Sequence, residues 1–281
     1  MILFSLVGSI PAGASQIRVG LFQADPPASL EVVGPCFAER EGERQRIGSG
    51  DTMTLRCCRS GVLMSSRSPV GVLTLRPVDS RGTVTLARGG RRTSYRGRIA
   101  VRHSGGALLA VNHLEVEDYL RSVVPSEMEH DWPVQALAAQ SVVARSFAVA
   151  GIGRHADRGF DLCDSTHCQV YRGASWERPG TDRAVAMTRG EALVFGGKCV
   201  SPLYHSTCGG RTTDGYGTGK AEPGASAVSD LANGEAFCAK SDHFSWSCVL
   251  RPAEIEKALE AERIPIEGSV KGIRVTARDG S

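Results

Sequence analysis

A chain of 281 residues has room for one large domain or two ordinary ones, and 41% apolar content is enough for a sizeable core. The net charge of +3 selects no partner by itself, and the lack of internal repeats and low-complexity tracts sets aside solenoid and disordered classes. Nine cysteines are an odd number, so in an exported protein at least one thiol stays unpaired or holds a metal. The adjacent Cys57 and Cys58 cannot easily bridge each other; Cys36 lies in the same N-terminal part, and connectivity stays open.

The first residues, MILFSLVGSIPAGASQIRV, end an apolar run in small residues. The last part of a signal peptide does the same, with cleavage here near Ala14. No basic segment precedes the run, so a plain strand is the other reading, and the run is short for a membrane-spanning helix. Residues 1–16 are therefore set apart as a signal remnant.

Residues 17–22 (IRVGLF) form the first expected strand. Residues 25–67 are poorly patterned, with Pro26-Pro27, Gly34-Pro35 and glycines at 48 and 50, and predict short strands threaded by loops. Residues 70–78 and 82–88 are rich in β-formers. Over 95–101 the pattern alternates: Tyr95, Ile99 and Val101 on one side, Arg96, Arg98 and the following Arg102 on the other. Ser104-Gly105-Gly106 is a turn, and 107–116 returns as the partner strand. Residues 17–113 thus read as a β-rich part that enters a helix without a linker.

Eight arginines fall between Arg76 and Arg102, against one acid, Asp79. They offer either a face for a polyanion, such as teichoic or nucleic acid, or the solvated outer side of a small sheet. Few aromatics are interleaved to stack bases, so the solvated side is favoured and no nucleic-acid partner is expected.

A helix is expected to begin near Glu117 and to end at Pro125, which cannot continue the backbone ladder. Ser126, Glu127 and Met128 then form a loop. A second helix opens at Pro133, with Glu129 and Asp131 placed to serve its N-terminus. This helix is apolar on all sides and is therefore buried. Arg145 shares a face with Val134, Leu137 and Val149, so it needs a partner from protein or ligand; Glu127 is the nearby carboxylate. Further on, 151–159 is a polar loop, and 181–188 is a short helix stopped by Gly190. Strands follow at 192–194 and 199–205 around Gly196-Gly197. A Gly-rich loop spans 211–234, a helix 252–263 and a last strand 270–276.

Three motifs in order carry a resemblance: Tyr119-Leu120, Val123-Val124-Pro125, Glu127-Met128, Trp132-Pro133 and the Ala-Gln, Ala-Arg helix; then CDSTHCQVYRG from Cys163; then YHSTCGGRTTDG from Tyr204. The chain resembles the SpoIID/LytB family of bacterial cell-wall proteins from about residue 17 onward, most strongly over 114–214. Glu129, where the family has Pro, and Ser141 and Phe147, for Ala and Tyr, are departures. The resemblance implies an α+β fold: a mixed sheet-and-helix catalytic part, 114–281, truncated at its C-terminus, behind the small β-rich N-terminal part. It also implies an extracytoplasmic, cell-envelope location, secreted or periplasmic.

The resemblance assigns Glu127 as general acid of a peptidoglycan lytic transglycosylase cleaving between N-acetylmuramic acid and N-acetylglucosamine. Ordinary glycosidases need two carboxylates. Here one suffices, because the muramyl C6 hydroxyl attacks internally and leaves a 1,6-anhydro end. Such a carboxyl needs an apolar pocket that raises its pKa, with Val123, Val124, Met128 and Trp132 as candidate walls. The alternative is that Glu127 caps the next helix or pairs with a surface base. The family places Arg145 in the cleft with Glu127 or the saccharide; a structural ion pair is the other reading. The same family cleft holds Tyr204 and Ser206, and Gln169 and Tyr171 are grouped with them as substrate-binding. His155, Cys163, His167 and Cys168 form a cluster suited to a structural zinc, carried by some family members; a Cys163–Cys168 disulfide is the alternative. Partners implied by the resemblance are peptidoglycan glycan strands and a cell-wall amidase or other wall-remodelling protein, since the LytB branch is associated with enhancing a separate amidase; a non-catalytic, peptidoglycan-binding enhancer is the alternative function. His103, His113, His130 and His243 show no partner pattern.

Overall fold

The computed structural model describes residues 7–10, 15–65, 68–212, 227–261 and 264–274. The expected cleavage position at Ala14 and residues 275–281 lie outside them. The chain forms two compact units, Met1–Pro202 and Leu203–Ser281. It combines sheets and helices as an α+β protein whose N-terminal part is β-rich.

In the first unit, β2 (Gln16–Leu21), β4 (Cys36–Arg40), β5 (Glu43–Ile47), β8 (Val72–Pro77), β11 (Arg98–Ser104), β12 (Ala107–Glu115) and β13 (Leu162–Cys163) build a seven-stranded sheet in the order β13-β2-β12-β11-β8-β4-β5. A five-stranded sheet has the order β10-β9-β3-β6-β7, from β3 (Ser29–Val33), β6 (Thr52–Cys58), β7 (Gly61–Met64), β9 (Val84–Arg88) and β10 (Arg91–Tyr95). Period-two burial on both puts Leu30, Val32, Leu55 and Leu86 of the smaller sheet in one core with Leu73, Leu75, Ile99 and Val101 of the larger. The stretch 95–101 is not one strand. It breaks at Gly97, whose φ of +73° and close approach to the His113 carbonyl exclude a side chain, so Tyr95 ends β10 and Ile99 belongs to β11. The hairpin at 104–107 forms as expected. β1 (Val7–Ser9) pairs antiparallel with β14 (Glu191–Phe195), and β15 (Lys198–Cys199) completes that sheet. The expected strand 199–205 shrinks to this short β15.

Several of the eight arginines are paired: Arg76 with Glu39, Arg88 with Asp25, Arg96 with Glu177. These partners come from other elements and are not visible in the local charge run.

β12 passes directly into α1 (Val116–Glu127), followed by α2 (Val134–Ala150) and α3 (Pro179–Met187), and the three helices pack on one another. Pro125 does not end α1. It sits in the last turn, where its missing N–H costs a single bond. Ser126 Oγ then donates to the Ser122 carbonyl at 2.7 Å and Met128 N–H to Val124 at 3.1 Å. Glu127 is thus helical rather than in a loop. α2 is buried along most of its length, as its apolar sequence requires, but no side chain caps its N-terminus. Glu129 and Asp131 are exposed and do not serve it as expected.

In the second unit, β16 (Leu231–Ala232) and β17 (Glu235–Ala236) form a hairpin across Asn233-Gly234, and α4 spans Pro252–Ala261. Residues 270–274 are not a strand. Among the described residues, none of its hydrophobic side chains is buried.

Candidate functional site

Glu127 occupies the C-terminal turn of α1, one turn after the buried Val123 and Val124. Its Oε1 accepts the Val170 N–H at 2.8 Å. Among the described residues, no arginine, lysine or histidine pairs with it and its other oxygen has no protein partner. It neither caps α2 nor forms an ion pair. Of the candidate walls, Trp132 is 51% exposed in the turn to α2.

The irregular segment 169–172 reaches α1 through backbone hydrogen bonds and holds Glu127. Two residues after Val170, Arg172 N–H donates to Ser122 Oγ at 3.1 Å. Gln169 accepts from Tyr119 Oη at 3.1 Å and donates to the Ala144 carbonyl at 3.3 Å. Tyr171 Oη donates to Asn112 Oδ1 at 2.8 Å, and its ring packs 5.2 Å from that of Tyr119. Gln169 and Tyr171 are only 1% and 5% exposed. The expectation that they touch a saccharide is corrected: both are buried anchors, and burial pushes the Tyr171 hydroxyl pKa well up. Asn112, which also donates to the Arg96 and Arg98 carbonyls, is the anchor that sequence patterning missed. An Asn within a run of strand-forming apolar residues was the available signal.

Arg145 is buried as its helical face predicts, with 0% exposure, but its partner is not Glu127. Nε and Nη2 form a two-pronged pair with Glu117, both at 2.9 Å. The remaining donors meet the carbonyls of Glu191 at 3.0 Å, Val185 at 3.3 Å and Ser141 at 3.4 Å, and Thr188 Oγ1 at 3.4 Å. Its donors are thus turned to protein oxygens, in the manner of the structural ion pair. Glu117 reads in sequence only as a helix start, because its partner is 28 residues away.

His155, Cys163, His167 and Cys168 do come together, with their donor atoms within 4.8 Å of one another. His155 Nε2 lies 3.4 Å from Cys168 Sγ, and His167 Nδ1 lies 3.6 Å from both sulfurs. Nitrogen and sulfur on one tetrahedral zinc, at about 2.0 and 2.3 Å, stand about 3.6 Å apart. The residues therefore fit zinc. All nine cysteines are free thiols, so neither a Cys163–Cys168 bridge nor one among Cys36, Cys57 and Cys58 is formed. A hydrogen bond between the two sulfurs pulls the Cys163 pKa down and pushes the Cys168 pKa up.

The fold fixes this loop at three points. Cys163 pairs with Gly20 at the parallel edge of the large sheet. A side chain at position 20 would strike the Phe160 ring at 2.9 Å, and that ring packs 5.0 Å from His155. Asp161 accepts from the Arg18 side chain at 2.7 and 3.1 Å, from Arg18 N–H at 2.8 Å and from Gly153 N–H at 3.0 Å. Burial raises its pKa, but these donors outweigh burial and hold it below the usual carboxylate value. Asp164 accepts the Phe22 N–H at 2.6 Å. Since Gln169 follows Cys168 directly, the cluster sits at the root of the segment that holds Glu127.

Tyr204 and Ser206 belong to the second unit, the tyrosine part-buried and the serine exposed. There Ser206 Oγ lies 3.4 Å from Thr207 Oγ1.

The family model for the stage II sporulation protein, SpoIID, matches residues 104–195. An uncharacterised protein of Brachyspira hyodysenteriae is 32% identical over 215 residues, covering 73% of this chain and 56% of that protein. An amidase enhancer of Bacillus subtilis is 37% identical over 93 residues, 33% of this chain and 12% of the enhancer. Stage II sporulation protein D of the same organism is 31% identical over 119 residues, 37% of this chain and 34% of that protein. The chain thus spans little more than half of these relatives' lengths at most. The matched segment contains Glu127, its Val170 partner and the His/Cys cluster, and over that segment the chain belongs to the SpoIID/LytB family.

Proposed function

We propose that this protein acts on cell-wall peptidoglycan outside the cytoplasm and cleaves its glycan strands as a lytic transglycosylase. The observation that supports this reading most is Glu127: one oxygen is held by a backbone N–H, and among the described residues no cation or helix end claims the other. Such a group is oriented yet available. In the reaction, the Glu127 carboxyl protonates the glycosidic oxygen as the muramyl C1–O bond breaks. The C6 hydroxyl then adds to C1, and its proton returns to Glu127. A 1,6-anhydro end forms and no water is consumed. Val170 N–H keeps the carboxyl aimed throughout, and the exposed Trp132 offers an aromatic face close in sequence on which a sugar can stack.

Zinc on His155, Cys163, His167 and Cys168 would supply a closed four-ligand crosslink with no position for a reacting water. The chain's own part in that arrangement is to fix segment 168–172, and with it Glu127.

The local 37% identity to an amidase enhancer supports a second reading, a wall-binding domain that stimulates a separate amidase. Incubating the protein and Glu127→Gln with purified peptidoglycan separates the two. The transglycosylase releases anhydro-muropeptides, and the variant folds, binds glycan and loses about 10²–10⁴-fold in rate. Near-normal release by a folded variant, or no release by the parent, rejects the catalytic reading; stimulation of an added amidase then selects the second.

A further inference from the structure

A second group of metal-ligating side chains stands apart from everything above, in the second unit. Cys208 Sγ lies 3.7 Å from Cys238 Sγ and 3.0 Å from Asp230 Oδ2, and the three donors fall within 4.8 Å of one another. Backbone hydrogen bonds assemble them. Asp230 N–H donates to the Gly210 carbonyl at 2.9 Å, tying the Cys208-Gly209-Gly210 turn to the start of the hairpin. Asn233 and Gly234, at φ +53° and +84°, reverse the chain, and Phe237 N–H closes on the Asp230 carbonyl at 3.2 Å. Cys238 therefore returns beside Asp230.

We propose that Cys208, Asp230 and Cys238 bind a thiolate-preferring divalent cation, with zinc as its probe, leaving a fourth position for water or an anion. Two sulfurs on one tetrahedral zinc stand about 3.8 Å apart, which is the spacing found, and the carboxylate has to move out by only about half an ångström. Gly210 N–H points at Cys208 Sγ at 3.4 Å, a hydrogen bond that supports negative charge on a metal-bound thiolate. A Cys208–Cys238 disulfide would use neither feature, since it carries no charge for the N–H and has no proton or cation for the carboxylate. Among the described residues of this unit no hydrophobic side chain is buried, so a metal crosslink would hold together a part of the chain that shows no apolar packing of its own there. The proposal is independent of the peptidoglycan reading.

The test is metal analysis of the full chain, purified without chelator, together with non-reducing peptide mapping. Two zinc equivalents are expected. Cys208→Ser or Cys238→Ser removes one, and Cys163→Ser removes the other. Asp230→Asn, which keeps shape and hydrogen bonding, should weaken the second equivalent about 10-fold or more and so decides the matter even where a cysteine variant does not fold. A mapped Cys208–Cys238 disulfide overturns the site. So does zinc content, or zinc affinity, that Asp230→Asn and the Cys208 and Cys238 variants leave unchanged.

Discussion

Replacing Arg145 by Met tests whether this residue belongs to the chemistry or to the scaffold. The side chain is fully enclosed and meets two oxygens of Glu117, whose own side chain is 14% exposed, and four further protein oxygens. Methionine fills most of the volume but strands the Glu117 carboxylate. Removing one partner of a buried pair costs about 3–5 kcal/mol, mainly because the other charge is left without compensation. For a unit of this size 1 kcal/mol is worth about 2–4 °C in Tm, so a fall on the order of 10 °C is expected. Arg145→Lys keeps the charge but not the two-pronged geometry and should recover less than half of that loss. Thermal unfolding followed by circular dichroism measures both. Glycan cleavage, assayed well below the lowered Tm, should stay within a few-fold of the parent. A variant that melts within about 2 °C of the parent and yet cuts nothing would refute the scaffold role and return Arg145 to the cleft.

Tyr171→Phe removes the donor to Asn112 Oδ1, so it should cost about 1–3 kcal/mol and lower Tm without raising KM for glycan; a raised KM at unchanged Tm would mean that Tyr171 contacts saccharide after all. Cys168→Ser should abolish one zinc equivalent and slow glycan cleavage more than it slows binding, and retention of full zinc content would dismiss the cluster as a metal site. His113 faces Arg98 and Arg18 on its two neighbouring strands, and burial first, then these two charges, lower its pKa from 6.5 to about 4. The unfolded chain therefore binds the extra proton first, and stability is full above pH 6.5 and falls as the pH drops toward 4. After discounting for solvent contact the loss is about 1–2 kcal/mol. Denaturant titrations of His113→Gln should lack that part of the slope, and an unchanged slope would clear His113 of it.

What the sequence determined alone was what local pattern and chemical type can carry. Alternation up to Val101 and the Ser104-Gly105-Gly106 turn specified the hairpin, though not the break at Gly97, and the apolar circumference of 134–149 specified a buried helix with Arg145 inside it. Donor chemistry in one short loop brought His155, Cys163, His167 and Cys168 together, since residues so close in the chain have little conformational freedom with which to separate. Pairing across long separations was beyond its reach. Arg145 takes Glu117 rather than Glu127 because helix packing, not proximity in sequence, decides which carboxylate faces the guanidinium. Gln169 and Tyr171 look like sugar contacts by residue type, but packing against α1, α2 and β12 puts them inside, where Tyr119, Ala144 and Asn112 satisfy their polar atoms. Pro125 reads as a stop, yet a proline within two residues of a helix end forfeits one hydrogen bond, and tertiary packing of Val123 and Val124 outweighs that loss. That last turn is what carries Glu127 to the Val170 N–H, a contact 43 residues apart that only the folded chain can make.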